Sequence, residues 1–109
     1  MKDFIEYLQS GKRGHLVGVG GVSMEPLAEA LNGMGILVTG SDMAESERTS
    51  HLRELGVKVY IGHDASNISD DTEFVVRTAA AHDDNPEIIY AREKATHFFL
   101  QAGRKKHII

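Results

Sequence analysis

The sequence predicts an α/β fold in three layers, with a mostly parallel sheet of about five strands between two layers of helices. Short apolar strands alternate with helix signals along the 109 residues, a pattern typical of a parallel sheet covered on both faces. A glycine-rich turn at residues 18–24 joins the first strand to the helix that follows it. The length suits one domain with one hydrophobic core.

Five strands are predicted from short apolar runs. They cover residues 15–19, 36–40, 57–61, 74–77 and 97–100. Because helices separate these strands, we expect their carboxyl ends to lie along one edge of the sheet, where ligands bind in folds of this class.

Two of the predicted helices are short and partly polar. The first precedes the sheet and is indicated by the helical spacing of Phe4, Ile5 and Leu8. The second covers residues 46–55, and Gly56 suits the left-handed position that closes a helix.

Two further helices have clearer signals. The helix after the glycine-rich turn carries an apolar stripe that we expect to be core, formed by Met24, Leu27, Leu31 and Met34. Pro26 is tolerated in its first turn because the missing N–H would be unpaired there. The last helix begins at Asn85-Pro86-Glu87, which supplies a cap, a fixed first residue and an acid in the first turn, and it continues into Ile88, Ala91 and Ala95.

Composition restricts the function classes. The content of 41% hydrophobic and 26% charged residues is typical of a soluble globular protein, and no apolar run approaches the roughly 20 residues that span a bilayer. The absence of cysteine excludes disulfides and thiolate metal sites, and with no signal-peptide pattern we expect a cytoplasmic location. The net charge of −4 argues against a nucleic-acid platform, and the basic run at residues 104–106 is interpreted as a solvated tail.

The glycine-rich turn is typical of a phosphate-binding loop. Gly18 and Gly20 can adopt backbone angles closed to other residues, and the free N–H groups at a helix start attract anions. Ser23 stands where a third glycine would complete the usual pattern. The alternative interpretation is an ordinary strand-to-helix turn.

An acidic residue follows the second strand. Asp42 lies about 20 residues beyond the loop, where dinucleotide-binding folds place the carboxylate that accepts hydrogen bonds from a ribose. An aspartate in this position is also a common turn residue or helix cap.

Polar residues follow the other predicted strands as well. His63 comes after the third strand and Thr78 after the fourth, so both should lie at the same edge as the loop. His63 beside an acid is also an ordinary loop histidine. The sequence contains no catalytic nucleophile with a base and no G-x-x-x-x-G-K-[ST] loop, so it predicts a binding site without catalytic or metal-ligating residues.

Several motifs, taken together, resemble a known family. Residues 18–24, 40–42, 45–46, 55–56 and 62–64, followed by Ala79-Ala80 and residues 84–87, are similar in order to the N-terminal domain of UDP-N-acetylmuramate:L-alanine ligases, members of the Mur ligase family. The resemblance covers about residues 14–95. It implies a Rossmann-like domain that holds the UDP part of UDP-N-acetylmuramate, with ATP and Mg²⁺ handled by a central domain and the amino acid by a C-terminal domain.

The resemblance also implies the roles of individual residues. The diphosphate would lie on the loop formed by Gly18, Gly20, Gly21, Val22, Ser23 and Met24. The uridine end would face Ser41, Asp42 and His63, and the loop after the fourth strand would contribute Thr78 and Ala79.

The implied domain organisation has three parts. An N-terminal helical extension covers residues 1–13, the UDP-sugar-binding domain covers 14–95, and a divergent strand with a basic tail covers 96–109. The chain is then a substrate-binding fragment of a ligase that lacks the ATP and amino-acid domains, and we expect it to be inactive alone. A murein tripeptide is the alternative amine partner, since ligases of that type share the same first domain.

Two residues depart from the family pattern at the loop. Glu25 and Pro26 follow Met24 where the family usually has small residues. A carboxylate in the first helical turn could compete with a diphosphate for the same helix end.

Two other function classes remain open at this stage. One is a domain of a dehydrogenase or redox sensor that binds a nicotinamide dinucleotide, to which Asp42 and the loop are also suited. The other is a non-catalytic interaction module that retains the fold without its ligand.

Overall fold

The chain folds into a five-stranded parallel sheet, as predicted. The computed structural model describes residues 11–78, 80–102 and 107–108. The strands are β1 (Arg13–Val17), β2 (Leu37–Asp42), β3 (Lys58–Ile61), β4 (Phe74–Arg77) and β5 (His107–Ile108), in the spatial order β3-β2-β1-β4-β5. Strands β1 to β3 are added in order towards one edge of the sheet, and β4 and β5 are added on the other side of β1. Ligands of open α/β sheets bind at such a switch in strand order, which here lies between β1 and β4.

In the described part of the chain, three helices cover the sheet. They are α1 (Met24–Gly33), α2 (Glu47–Glu54) and α3 (Pro86–Ala102), and a 3₁₀ turn at Ala65–Asn67 precedes β4. Within residues 11–78 and 80–102, no helix is long and apolar enough to cross a bilayer. The predicted N-terminal helix lies outside the described residues.

The core has two parts, one on each face of the sheet. Alternate residues of β1 point to opposite faces, so Leu16 packs in the larger cluster with α1 and α2, and Val17 packs in the smaller cluster with α3. The larger cluster also contains Met24, Leu31 and Leu52, and the smaller contains Val75 and Ile88. This arrangement gives the three layers expected from the sequence.

The local helix signals were mostly correct. Ser46 caps α2 through a capping box with Thr49, and Gly56 follows the helix with φ +95°. Asn85 Oδ1 accepts from the N–H of Glu87 at 2.9 Å, at the predicted start of α3. Met34 is an exception, since α1 ends at Gly33 and the Met34 side chain is 49% exposed rather than core.

The strand predicted at residues 97–100 is wrong. Those residues belong to α3, which continues to Ala102 because no glycine or proline interrupts it before Gly103. The fifth strand lies further on, where His107 pairs with Phe74 in parallel. The boundary expected between residues 95 and 96 therefore falls inside a helix.

Gly40 allows the loop after β1 to sit directly on β2. A Cβ added at Gly40 would lie 2.5 Å from Cβ of Val19, a fully buried loop residue. The contact involves the base of the Val19 side chain, which cannot rotate away. A larger residue at position 40 would therefore have to displace the loop backbone.

We expect Gly40→Ala to destabilise the domain by about 1–3 kcal/mol, as overpacking of a dense core usually does. The matched control is Gly33→Ala, because a Cβ there would meet nothing within 4 Å. Urea unfolding monitored by circular dichroism measures the stability of both variants. Equal midpoints for the two variants would contradict this account of the Val19 contact.

Candidate functional site

A cleft of about 440 Å³ opens at the carboxyl ends of β1, β2 and β4. Every predicted site residue except Ser41 and Ala79 lines it, and Ala79 lies outside the described residues. The lining comprises Gly18, Gly20, Gly21, Val22, Ser23, Met24, Asp42, Met43, His63, Thr78, Ala80 and Ala81. The parallel sheet thus brings together residues from four separate loops.

The loop between β1 and α1 forms one wall of the cleft and is held by main-chain hydrogen bonds. The N–H groups of Gly18 and Val19 both donate to the Ser41 carbonyl, at 2.8 and 2.9 Å. Gly18 adopts φ +81°, and the Gly21 N–H donates back to its carbonyl at 3.0 Å. These bonds fold the loop against the end of β2.

The start of α1 presents two unpaired donors. Among the described residues, none accepts from the N–H groups of Val22 and Ser23, whereas Met24 and Glu25 donate to the Gly21 carbonyl. Ser23 occupies the N-cap position, but its hydroxyl makes no capping bond. Free N–H groups at the positive end of a ten-residue helix favour an anion.

Asp42 supports the loop from below. Its Oδ2 atom accepts from the Gly20 N–H at 2.8 Å, and Oδ1 accepts from the Met43 N–H at the same distance. A Cβ at Gly20 would lie 2.8 Å from Oδ2 and 3.0 Å from Cγ2 of Thr49. Asp42 thus lines the cleft and also fixes the loop, and a side chain at position 20 would have to displace its carboxylate.

Ser41 does not reach the cleft, in contrast to its predicted contact with the uridine end. The residue points to the interior side of β2 and is fully buried. Its hydroxyl lies 2.6 Å from Oε1 of Glu87 and 2.9 Å from Nδ1 of His63, and His63 does line the cleft. The Ser41 hydroxyl therefore reaches the cleft through His63, while the Ser41 carbonyl holds the loop between β1 and α1.

Glu87 is a residue of the candidate site whose contacts the sequence did not predict. Its fully buried carboxylate accepts from Nε2 of His15 at 2.6 Å, from Nδ2 of Asn67 at 2.8 Å and from the N–H of Asp64 at 3.1 Å, in addition to Ser41. The sequence interpretation assigned it only to the first turn of α3. The signal that could have found it is His15, a polar side chain inside an apolar strand.

The carboxylate of Glu87 is ionised in spite of its burial. Burial raises the pKa of a carboxyl, but hydrogen bonds from His15, Ser41 and Asn67, with the charge of His15, outweigh this and lower the pKa of Glu87 to about 2. A buried charge with this many donors is well compensated. The network links α3 to β1, β2 and the loop after β3.

Glu25 is directed away from the loop. Its carboxylate lies 2.9 Å from Nδ1 of His51 and 3.9 Å from Nε of Arg48, both on α2. This hydrogen bond raises the pKa of His51. The charge of Glu25 is therefore engaged between two helices, and the structure gives no support to direct competition with an anion.

Comparison with known proteins shows to which family the chain is similar. A model of the "Mur ligase family, catalytic domain" matches residues 13–102. UDP-N-acetylmuramate--L-alanine ligases are similar at 48% identity over 84 residues in Clostridium novyi and 52% over 82 residues in Clostridium perfringens. These matches cover 77% and 75% of the chain, which spans 18% of the length of each relative.

A solved structure supports the same assignment. The crystal structure of UDP-N-acetylmuramate-alanine ligase from Thermotoga maritima superposes with a TM-score of 0.75 at 36% identity. The match covers 88% of this chain and 20% of that one.

Protonation of Glu87 should destabilise the folded protein in acid. Because its pKa is lowered from 4.5 to about 2 on folding, the ionised form stabilises the protein above pH 4.5, and this contribution is lost as the pH falls towards 2. The free energy of unfolding that is lost over this pH range amounts to roughly 3 kcal/mol. Glu87→Gln should be less stable at neutral pH and should lose less stability in acid than the wild type.

Urea unfolding at several values from about pH 6 to about pH 3 measures this effect. The control is Glu93→Gln, an exposed carboxylate on the same helix. If the stability of Glu87→Gln declined with pH in parallel with the wild type, Glu87 would not be the group responsible.

The contact between Glu25 and His51 gives a separate prediction. Glu25→Gln should lower the pKa of His51 towards its ordinary value of 6.5, because the hydrogen bond to the carboxylate is the main cause of the increase. A proton NMR titration of the imidazole measures it, with Glu93→Gln as the control. An unchanged His51 pKa in Glu25→Gln would contradict the observed pairing.

Proposed function

Because the chain belongs to the Mur ligase family, we propose that it is the UDP-N-acetylmuramate-binding domain of a ligase that joins L-alanine to this nucleotide sugar. The observation that carries the proposal is the cleft, in which the two free N–H groups of Val22 and Ser23 meet residues from three other strand ends. The relatives at 48% and 52% identity supply the identity of the ligand.

The diphosphate is assigned to the start of α1. The donors there are main-chain N–H groups at the positive end of a helix, and an anionic ligand can approach closely over Gly20 and Gly21. The chain carries a net charge of −4, so attraction to a diphosphate depends on these local donors rather than on the overall field. Glu25 does not oppose it, since its carboxylate is paired with His51.

The uridine end is assigned to the side of the cleft formed by Asp42, Met43 and His63. Met43 is 79% exposed and offers an apolar surface, while His63 offers a ring nitrogen. Thr78 lies on the opposite side near Gly18, where a Cβ added to the glycine would be 3.6 Å from the threonine Oγ1. Both sides of the cleft can therefore contact the ligand.

The chemistry of amide formation is assigned to other parts of the ligase. Joining a carboxylate to an amine requires activation of the carboxylate, which a Mur ligase accomplishes with ATP and Mg²⁺. The sequence has no G-x-x-x-x-G-K-[ST] loop to hold a triphosphate. We therefore expect this chain to bind the nucleotide sugar without hydrolysing ATP.

Calorimetric titration with UDP-N-acetylmuramate tests the proposal, with NAD as a parallel ligand. The wild type should bind the UDP-sugar and should not bind NAD. Gly20→Val should weaken that binding by more than about tenfold, because the added side chain would displace Asp42 and the loop and remove more than one hydrogen bond. Gly33→Val is the matched control, since position 33 has open space around it.

Three outcomes would contradict the proposal. Binding of NAD in place of the UDP-sugar would indicate a dinucleotide protein. Lack of binding of either ligand by the folded wild type would favour an interaction module. ATP hydrolysis that depends on Gly20 would assign catalysis to this chain.

A further inference from the structure

His63 lies where the buried network meets the cleft. It follows β3 directly after Gly62, which adopts φ +97°, and its side chain is 19% exposed. Its Nδ1 atom is 2.9 Å from Oγ of Ser41 and 3.5 Å from Oε2 of Glu87. The nitrogen on the inner side of the ring is therefore in contact with the network.

The direction of the hydrogen bonds follows from the number of protons available. An ionised carboxylate only accepts, so the single hydroxyl proton of Ser41 is donated to Oε1 of Glu87 at 2.6 Å. At the contact between Ser41 and His63, the hydroxyl oxygen must then be the acceptor. Nδ1 of His63 carries the proton, and in the neutral ring Nε2 keeps its lone pair.

The backbone around His63 is held by the same carboxylate. Oε2 of Glu87 accepts from the N–H of Asp64 at 3.1 Å and from Nδ2 of Asn67 at 2.8 Å, and Asn67 also donates to the Gly62 carbonyl at 2.9 Å. Glu87 therefore fixes both the backbone position of His63 and the orientation of its ring.

We propose that Ser41 and Glu87 are positioning residues that hold His63 with Nδ1 protonated, so that Nε2 faces the cleft as a hydrogen-bond acceptor for the nucleoside. The choice of ligand rests on the proposed function. An acceptor at this position selects an N–H or O–H donor, which uracil and ribose both offer. The tautomer of His63 can be measured in the protein without ligand, so it does not depend on which ligand binds.

NMR of the wild type labelled with ¹⁵N in its histidine rings tests the tautomer. Spectra are recorded without ligand at about pH 8, where an ordinary imidazole is neutral. The chain has six histidines, so the His63 signals are identified by their loss in His63→Gln. We expect the Nδ1–H form at His63. Observation of the Nε2–H form would overturn the proposal.

Ser41→Ala tests the link to the ligand. The Nε2–H fraction of His63 should rise, and the affinity for UDP-N-acetylmuramate should fall by about three- to tenfold, as for loss of one hydrogen bond. Thr39→Val is the control, because Thr39 contacts the same network through Nδ1 of His15 at 2.7 Å but pairs with Lys58, at the start of β3 rather than at the end that His63 follows. It should leave the His63 tautomer and the affinity unchanged.

The outcomes separate the two proposals. If Ser41→Ala keeps both the wild-type tautomer and the wild-type affinity, the positioning role is overturned while the binding function stands. If the folded wild type does not bind UDP-N-acetylmuramate, the proposed function fails, and the tautomer in the free protein still decides the role of Ser41 and Glu87. Thermal unfolding checks each variant, and Ser41→Cys replaces Ser41→Ala if the alanine variant does not fold.

Discussion

The buried carboxylate of Glu87 connects the start of α3 to two adjacent strands of the sheet and to the loop after β3. It lies at the start of α3 and accepts hydrogen bonds from β1 through His15, from β2 through Ser41 and from the loop after β3 through Asn67 and Asp64. Taking a charge out of water is costly, and only this many donors offset the cost. The partners are thereby held in one geometry, because removal of any donor would leave the charge less compensated.

Two parts of the cleft lining are built in different ways. The loop between β1 and α1 is shaped by main-chain hydrogen bonds and by glycines that allow close packing, with Val19 on Gly40 and Asp42 under Gly20. The position of His63 is set by side chains that extend from Glu87. A parallel sheet brings the two parts together because all its strands end at the same edge.

The fold and the lining of the cleft could be predicted from local patterns, because both depend mainly on residues that are close together in the sequence. Strand and helix alternation, the start of α3 at Pro86 and the end of α2 before Gly56 all follow from a few adjacent residues. The role of Glu87 could not be predicted in the same way, since its partner His15 is 72 residues away in the sequence. The burial of Ser41 and the exposure of Met34 likewise depend on tertiary packing. The length of α3 is a different case, because it follows from the lack of glycine or proline between Pro86 and Gly103 in the sequence itself.

The donors at the start of α1 have a consequence for inhibitors directed at this cleft. Every residue except proline supplies the same main-chain N–H, so ordinary substitutions at Val22 or Ser23 cannot delete the donors. A compound that bonded only these groups would leave few routes to resistance. Escape would have to come from changes that move the backbone, and at Gly20 or Gly40 such changes disturb the packing of the domain itself.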